Sequence, residues 1–353
     1  MRVLGDWVNE LLTEDRLSEG GKLALEDALR SPDQVVRDRA SELLIQMLPK
    51  ARPTARGGVI HLLQSAWWPP AVGLSQPAFD VTLPAVVEAD AGDDELILDT
   101  MLLWSHLARV NAGLLASLVD TLGHASPGAR RAAAGALSRM GAGAKAQVPE
   151  LVKLLEDPDP QVSEAALEAL GVLGPVNVEP ALTAFRRELQ TQQGKRRFLA
   201  LSALRGILEH ARIVGMALPA DTDVDEQALI NALTDPEVAT RMQAAGVLGL
   251  RGQTSDRVEE ALVRVLSDAS ADVAAAAAVA LLRVKRAESQ ALELLGAQLL
   301  SAEVGLQDSA IYALEPLEPA TLARARPALD AAAISGVGNG REAAKGLLLR
   351  LRV

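Results

Sequence analysis

The segment from 157 to 174 reads DPDPQVSEAALEALGVLG, and its apolar residues recur every three or four positions. Val162, Ala166 and Leu170 are spaced so that they share one face of an α-helix, while the glutamates fall on the opposite face. The pattern predicts an amphipathic helix that begins after a polar turn. The alanine in the middle of the apolar face indicates close packing against a neighbouring helix.

The same alanine–leucine pair, with the leucine four residues after the alanine, recurs along the chain. The pairs are Ala40/Leu44, Ala133/Leu137, Ala166/Leu170, Ala200/Leu204, Ala244/Leu248, Ala277/Leu281, Ala310/Leu314 and Ala343/Leu347, and Leu98/Leu102 has leucine in place of the alanine. From Leu102 onward the leucines are separated by 35, 33, 34, 44, 33, 33 and 33 residues. This spacing predicts an all-α repeat array in which each repeat is a pair of short helices.

Polar turns precede the second helix of several repeats. They begin at Ser31, Ser126, Asp157 and Asp235, and each has proline as its second residue. Serine and aspartate cap helix N-termini, and proline is accepted in the first turn, so these segments predict helix starts. Glycines such as Gly249 indicate helix ends or close contacts between helices.

These repeats resemble the HEAT-repeat family, in particular the short bacterial type related to the phycobilin-lyase HEAT-like repeats. The resemblance rests on PQVSEAALEALGVLG and SPGARRAAAGALSRMG and covers about residues 31–353. It implies a right-handed α-solenoid of about nine helical hairpins, with the second helices lining the concave side. Such arrays serve as scaffolds and adaptors and, in some members, as enzymes.

We expect residues 1–353 to form a single solenoid, irregular over 1–110 and regular, with repeats of about 33 residues, over 111–353. Two intervals between successive repeat leucines, Leu44 to Leu102 and Leu204 to Leu248, are longer than the others. The first contains a predicted helix near Thr54–Ala66 and then a loop insertion at 67–81. The second predicts a loop at 214–226. Insertions in a solenoid lie in loops, where specific contacts concentrate.

Composition narrows the function classes. The chain has 353 residues, a net charge of −11, 2% aromatic residues and no cysteine. Disulfides, cysteine-ligated metals and a thiol nucleophile are therefore excluded. The first residues lack the apolar run of a signal peptide, and no segment is long and apolar enough to span a membrane, so we expect a cytoplasmic protein.

The sequence predicts no catalytic residue, cofactor or metal site. Its four histidines, His61, His106, His124 and His210, form no metal-binding motif. The acidic segment 221–226 begins like a calcium loop but lacks the glycine and the later glutamate that such a loop requires. It is better interpreted as a solvated loop and helix cap.

Arginines recur at the start of second helices, at Arg37, Arg130, Arg197 and Arg241. A row of arginines in a groove could hold phosphates, but the charge of −11 disfavours a nucleic-acid partner. In the family that the repeats resemble, this arginine pairs with the aspartate of the preceding turn. We therefore expect structural pairs such as Arg37 with Asp33 or Arg241 with Asp235.

The tryptophans suggest a first candidate binding surface. Trp7 and Trp104 fall in amphipathic segments and are expected in the core. Trp67 and Trp68 are adjacent in AWWPP, and with Phe79 they form a candidate partner-binding group, because tryptophan is frequent among binding anchors. The alternative is that Trp67 and Trp68 close the end of the core where irregular repeats meet.

A second candidate follows the face of the second helices opposite the alanine–leucine pair. Counting from Val162 and its equivalents, positions two and six residues later are charged in early repeats and apolar later, at Phe198, Met242, Ala275, Val279 and Tyr312. Phe198, Met242 and Tyr312 are our candidate contacts for a partner helix or extended peptide. Alternatively, these side chains fill gaps between successive helices.

The most direct functional prediction is a non-catalytic module that binds a protein partner of basic or mixed charge. Two alternatives stay open. By resemblance to the lyase-type repeats, the chain could cradle a chromophore or another small ligand, or it could be an inhibitor or immunity protein that blocks a basic target. The sequence does not decide the oligomeric state.

Overall fold

The computed structural model describes residues 19–51, 53–65, 72–88, 93–173, 178–191, 194–215, 226–251 and 254–351. Over these residues the regular secondary structure is helical, and they contain no strand. The chain divides into two compact units, Met1–Ala181 (unit 1) and Leu182–Val353 (unit 2).

The helices of unit 1 are α1 Glu19–Leu29, α2 Gln34–Met47, α3 Pro53–Ser65, α4 Val72–Glu88, α5 Asp94–Val110, α6 Leu114–Thr121, α7 Pro127–Met140, α8 Val148–Lys153 and α9 Pro160–Leu173. Short 3₁₀ turns occupy Leu48–Lys50, Gly141–Gln147 and Leu154–Glu156. Helix α10, Val178–Thr191, contains the division between the units.

The helices of unit 2 are α11 Lys195–Val214, α12 Glu226–Ala232, α13 Val238–Leu250, α14 Asp256–Val265, α15 Ala271–Val284, α16 Glu288–Leu300, α17 Val304–Leu314, α18 Pro319–Leu322, α19 Arg326–Ser335 and α20 Gly338–Arg350. A 3₁₀ turn follows α18 at Ala323–Ala325.

Within each unit the helices form stacked hairpins. The second helices pack directly on one another, in the order α5, α7, α9 in unit 1 and α11, α13, α15, α17, α20 in unit 2. Helix α3 packs on α5, and α2, which carries Ala40 and Leu44, packs mainly on α1. First helices such as α6, α14 and α16 pack against the second helix that follows them. This arrangement confirms an all-α solenoid, because each hairpin buries its apolar faces against its neighbours in the stack.

The alanine–leucine pairs form the core between the two helix layers. From Ala133 to Leu314 every paired alanine and leucine is at most 1% exposed. In the last pair only the alanine differs, because Ala344 is fully buried and Ala343 is half-buried, whereas Leu347 is buried as predicted. Alanine allows two backbones to approach and leucine fills the space beside them.

The predicted pair in α5 is wrong. Leu98 is 45% exposed, whereas Thr100 and Trp104 are fully buried. Trp104 and Leu137 are separated by 33 residues, so a tryptophan occupies the leucine position and restores the regular period. Because Thr100 is polar, a search for apolar pairs does not find it. Its hydroxyl donates a hydrogen bond to the carbonyl of Leu96 at 2.8 Å.

The predicted loop at 67–81 is also partly wrong, because α4 begins at Val72 and continues through Pro77 and Pro84. Proline inside a helix costs about 3 kcal/mol in isolation. Here the buried residues recur at helical spacing, which opposes that cost; they are Ser75, Ala78, Phe79, Thr82, Ala85 and Val86. The prediction of a helix near Thr54–Ala66 is confirmed by α3.

The polar turns cap helices as predicted. Asp33 accepts a hydrogen bond from the Val35 N–H at 2.9 Å, and Asp159 accepts one from Gln161 N–H at the same distance. Ser126 accepts from Ala129 N–H at 3.4 Å. These bonds satisfy N–H groups that the first turn of a helix leaves without a partner.

The arginines at the start of second helices join successive hairpins. Arg130 donates two bonds of 2.7 Å to the carboxylate of Asp157, in the turn of the next hairpin. Its Nη1 also donates to the carbonyls of His124 and Ala125, both at 2.9 Å, in its own turn. One guanidinium therefore ties two turns together through a bidentate ion pair.

Arg241 repeats this arrangement with Asp268, at 2.8 Å for each bond, and with the carbonyls of Asp235 and Pro236. The predicted pairing with the preceding aspartate is therefore wrong for Arg241. Asp235 instead accepts from the N–H of Glu237 at 3.0 Å, and it receives the Arg197 side chain at 3.1 Å.

Arg37 likewise does not pair with the aspartate of its preceding turn. Arg37 donates to the carbonyls of Ser31 and Pro32, at 2.6 and 2.9 Å. The expected partner, Asp33, uses its carboxylate as the helix cap already described. A side chain at a helix start points back toward its own turn, which favours contact with those carbonyls.

Charge and hydrogen bonding lower the pKa of both aspartates. The hydrogen bonds from Arg241 hold the pKa of Asp268 below its ordinary value, although burial opposes them. For Asp157 burial raises the pKa, but bonds from Arg130 and the Asp159 N–H, with the charge of Arg130, outweigh it and lower the pKa. Both carboxylates are therefore ionised near neutral pH.

We expect Arg241→Ala to lower the free energy of unfolding by about 2 kcal/mol, because it leaves a largely buried carboxylate unpaired. Arg326→Ala is the control, since Arg326 and Asp330 form an exposed pair at 3.6 Å, and its effect should stay below about 0.5 kcal/mol. Urea unfolding measures both. Equal effects would contradict a structural role for the Arg241 pair.

The same pair predicts a dependence on pH. A carboxylate whose pKa is lower in the folded state stabilises that state above its unfolded pKa, and the stabilisation is lost as pH falls through the folded value. Between neutral pH and the acid side of 3.8, the parent should lose more stability than an Arg241→Ala/Asp268→Ala double variant. If urea unfolding at each pH showed equal losses of stability in the parent and the double variant, this prediction would be contradicted.

Replacing each of two glycines by alanine should change the free energy of unfolding in opposite directions. A Cβ on Gly249 would lie 2.7 Å from the Cα of Ala280, so Gly249→Ala should cost about 1–3 kcal/mol by pushing α13 from α15. A Cβ on Gly206 would have no atom within 4 Å, so Gly206→Ala should stabilise α11 by up to about 1 kcal/mol. Urea unfolding of both variants checks the signs, and a neutral Gly249→Ala would exclude a tight contact there.

Candidate functional site

A groove crosses the second helices of unit 2 (the unit 2 groove). It is a cavity of about 460 Å³ between α11, α13, α15 and the end of α17. Its lining combines small, apolar and charged residues, namely Arg205, Glu209, Met242, Gly246, Asp272, Ala276, Val279, Arg283, Ser309, Tyr312, Ala313, Glu315 and Pro316. Cavities of this size are typical of ligand-binding sites.

Helical periodicity brings the apolar residues of the groove together. Met242, Val279 and Tyr312 lie at the two- and six-residue positions of three successive second helices. Tyr312 is 74% exposed, Met242 is half-buried and Val279 is buried. Val279 therefore fills the gap between helices, as the alternative interpretation proposed, while Met242 and Tyr312 present accessible surface.

The arginines of the groove are held in different ways. Arg205 lies across Gly246, where a Cβ would be 3.1 Å from its Cδ. It reaches Glu209 at 3.4 Å and Gln243 at 3.3 Å, both long contacts. The absent side chain at Gly246 thus makes room for a guanidinium on the wall of the groove.

The side chain of Arg283 is less well hydrogen-bonded than that of Arg205. It is half-buried, and its Nε is shielded from solvent with no hydrogen-bond partner among the residues that the structure describes. Burial lowers the pKa of Arg283, opposed by the charges of Glu318 and Glu209 and reinforced by those of Arg212 and Arg205. A guanidinium keeps its charge, so this side chain carries a partly desolvated cation.

Glu318 lies beside this cation but is engaged by other groups. Its Oε2 is 2.8 Å from Nη1 of Arg212, and its Oε1 accepts a hydrogen bond from the hydroxyl of Thr321. Burial raises the pKa of Glu318, but the Thr321 hydrogen bond and the nearby arginines outweigh it and lower the pKa. The carboxylate is therefore ionised, and it moderates the charge of Arg283 without bonding to it.

The structure separates the remaining predicted contacts. Trp67, Trp68 and Trp7 lie outside the described residues. Phe198 is half-buried and does not line the unit 2 groove. Of the candidate contacts, Met242 and Tyr312 are brought to one surface.

The prediction that Phe79 contacts a partner is wrong, because Phe79 belongs to the core of unit 1. It is 4% exposed and its ring centroid lies 4.7 Å from that of Trp104, at an angle of 39°. Trp104 is fully buried, as expected, and its Nε1–H donates to the hydroxyl of Thr82 at 2.7 Å. Two aromatic rings and a polar anchor fix α4 against α5, so Phe79 is not available to a partner.

Sequence reasoning missed two features. Arg283 lies in the last turn of the helix ADVAAAAAVALLRV, and a charge that follows the long apolar run after Asp272 could have marked it. His61 and Asp99 are 38 residues apart, yet Nδ1 of His61 is 3.0 Å from Oδ2 of the buried Asp99. No third ligand completes a metal site there, since the described residues contain no cluster of three metal-binding side chains.

We expect Arg283→Met to leave the free energy of unfolding unchanged or to raise it by about 1 kcal/mol, because it removes a desolvated charge and keeps the apolar stem. Arg241→Met is the matched control and should lower it by about 2 kcal/mol. Urea unfolding distinguishes them. A comparable loss in both variants would mean that Arg283 is fully satisfied within the protein.

Comparison with known proteins supports the fold. The family model for HEAT repeats matches residues 109–205. No curated protein matches the chain in sequence. The match is to HEAT repeats in general, so the relation to the phycobilin-lyase type stays a prediction.

Solved structures resemble the chain over nearly its whole length. Yeast importin-β (Kap95p) is 14% identical, with a TM-score of 0.58, and the match covers 99% of this chain and 51% of importin-β. Kap95p in a structure with RanGDP is 13% identical, with a TM-score of 0.57 and coverage of 97% and 53%. The chain spans about half the length of these proteins. It has the all-α solenoid fold that they share, with HEAT repeats recognised at residues 109–205.

Proposed function

We propose that this chain is a non-catalytic scaffold that binds a protein partner in the unit 2 groove. The observation that carries the proposal is the exposed ring of Tyr312, which lines the same cavity of about 460 Å³ as Met242. Tyrosine is among the residues that contribute most to binding energy when a partner covers them. An apolar ring that is 74% exposed is available for such a contact.

The charges around the groove favour a partner segment of mixed charge. Arg205 and Arg283 supply positive charge, and Glu209, Asp272 and Glu315 supply negative charge. A segment with acidic and basic side chains flanking an apolar residue would match this alternation. Carboxylates in the lining and the net charge of −11 disfavour a nucleic-acid polyanion.

Arg283 would be the polar anchor of the complex. Its Nε is shielded from solvent, so a carboxylate from the partner would bind Arg283 through the part of the guanidinium that lines the groove. Ion pairs formed in a partly desolvated groove are stronger than those on open surface. The cost of keeping Arg283 poorly satisfied in the free protein would then be recovered on binding.

The fold is compatible with this function but does not specify the partner. Kap95p, which shares the fold at low identity, occurs in a structure with RanGDP. A solenoid offers one continuous helix layer, on which an extended or helical segment can contact several repeats at once. No helix among the described residues is long and apolar enough to cross a membrane. The cytoplasmic location stays a prediction.

The test compares a Met242→Ser/Tyr312→Ala variant with the parent in affinity capture from the host lysate, followed by binding measurements with the purified partner. We expect the partner to bind the variant about 10-fold or more weakly, as for the loss of a buried tyrosine. Ile334→Ser is the matched control, since Ile334 is 76% exposed in unit 2 and does not line the groove.

A photoreactive residue at position 312 supplies the direct contact test. Crosslinks to the same partner, absent when the residue is placed at position 334, would support the groove. Equal affinity of the parent and the groove variant would contradict it. Loss of capture only in Trp67→Ala/Trp68→Ala would instead move the contact to the segment before α4. A captured small molecule without a protein would favour the ligand-cradling alternative.

A further inference from the structure

A second cavity lies in unit 1, and the function proposed above makes no use of it. It encloses about 510 Å³ between the C-terminal halves of α5 and α7 and helix α9. Three of its lining residues can carry positive charge: His106, Arg109 and Arg139. A single carboxylate, that of the exposed Glu168, also lines it. In a chain of net charge −11 this grouping of cations is unusual.

Neither arginine has a carboxylate partner among the described residues. Arg109 donates to the backbone carbonyl of Arg139, near the end of α7. That carbonyl and the C-terminal ends of the helices carry partial negative charge, which stabilises these cations and opposes an anion, so the guanidinium groups must supply the attraction for an anionic ligand. Most of the ten guanidinium N–H groups, about five per arginine, remain available to a ligand.

The surroundings of these cations shape a receptive cavity. Ser105 and Ser138 line it beside His106. The hydroxyl of Ser105 donates to the carbonyl of Leu102 at 2.8 Å. Gly135 accommodates the side chain of Met101, since a Cβ there would lie 1.8 Å from the methionine methyl. Met101 therefore forms an apolar part of the cavity lining between α5 and α7.

We propose that this cavity binds an oxyanion, a carboxylate or phosphate-type group, through Arg109, Arg139 and His106. The two guanidinium groups would supply charge-assisted hydrogen bonds, and the imidazole a further N–H donor. The oxyanion could belong to a free small molecule or to an acidic segment of a protein. The proposal stands independently of the unit 2 groove, because it concerns a different cavity, formed by different helices.

The protonation of His106 supports this inference. Burial lowers the pKa of His106, and the positive charges of Arg109 and Arg139 lower it further. A bound anion would offset those charges and favour the protonated imidazole. The other charged group lining the cavity is Glu168, from α9. Binding should therefore raise the pKa of His106 and should tighten as pH falls through it.

The experiment follows the imidazole resonances of the intact protein by NMR. The chain has four histidines, and His106→Gln identifies the signal of His106. Sulfate is the first probe, because its charge is constant where histidine titrates. An acetylated tetraglutamate peptide is the second, and chloride holds the ionic strength constant. We expect a saturable shift of the His106 signal and a higher pKa, with the other histidines as internal references.

The Arg109→Gln/Arg139→Gln variant should bind each probe about 10-fold or more weakly. Without ligand, the His106 pKa should already be higher in this variant than in the parent. Arg131→Gln is the matched control on α7, because Arg131 pairs with Asp94 outside the cavity, and it should bind like the parent. Circular dichroism verifies that each variant keeps its helices.

Tighter binding of the peptide than of sulfate would assign the site to an acidic protein segment, and the reverse would assign it to a free oxyanion. The proposal would be overturned if neither probe gave a saturable response at His106. A response of equal affinity in the Arg109→Gln/Arg139→Gln variant would also overturn it, since the shift would then report nonspecific charge screening. None of these outcomes depends on a partner for the unit 2 groove.

Discussion

The close approach of successive second helices is the constraint on which the rest of this structure depends. A hairpin of two short helices cannot bury both of its apolar faces alone, so it requires a neighbour within backbone distance. Fully buried alanines such as Ala133 and Ala277 permit that approach, and so does Gly249, where a Cβ would lie 2.7 Å from the Cα of Ala280. The repeat spacing, the core and both cavities follow from this stacking.

The sequence predicted this architecture well because the stacking requirement recurs at a fixed interval. It failed where a different residue met the same requirement. Thr100 and Trp104 replace alanine and leucine in α5, so a search for apolar pairs selected the exposed Leu98 instead. A long interval between repeats predicted a loop at 67–81, but α4 begins at Val72, and burial of one face outweighs the local preference of Pro77 and Pro84. The local signal and the tertiary contacts conflicted, and the contacts prevailed.

The candidate sites were less predictable because they depend on residues from several repeats. The position of Met242 and Tyr312 on one face followed from helical period, and the structure brings both to the unit 2 groove. The burial of Phe79 depends on Trp104, 25 residues later and in the next helix, which no local pattern reveals. The grouping of Arg109 with Arg139 likewise requires knowing how α5 packs on α7.

The arginine ties also have a mechanical consequence for the unit 2 groove. Between α13 and the hairpin of α15 the tie is the bidentate Arg241–Asp268 pair. The equivalent position of α15 is Ala274, and a neutral hydrogen bond of 3.1 Å from Gln298 to the carbonyl of Ala271 joins that hairpin to the next. Neutral hydrogen bonds are weaker than charge-assisted ones. The groove spans this junction, so the wall that bears Tyr312 is joined to the rest of unit 2 by that neutral bond and by the Arg212–Glu318 ion pair, and not by a further bidentate tie of the repeat.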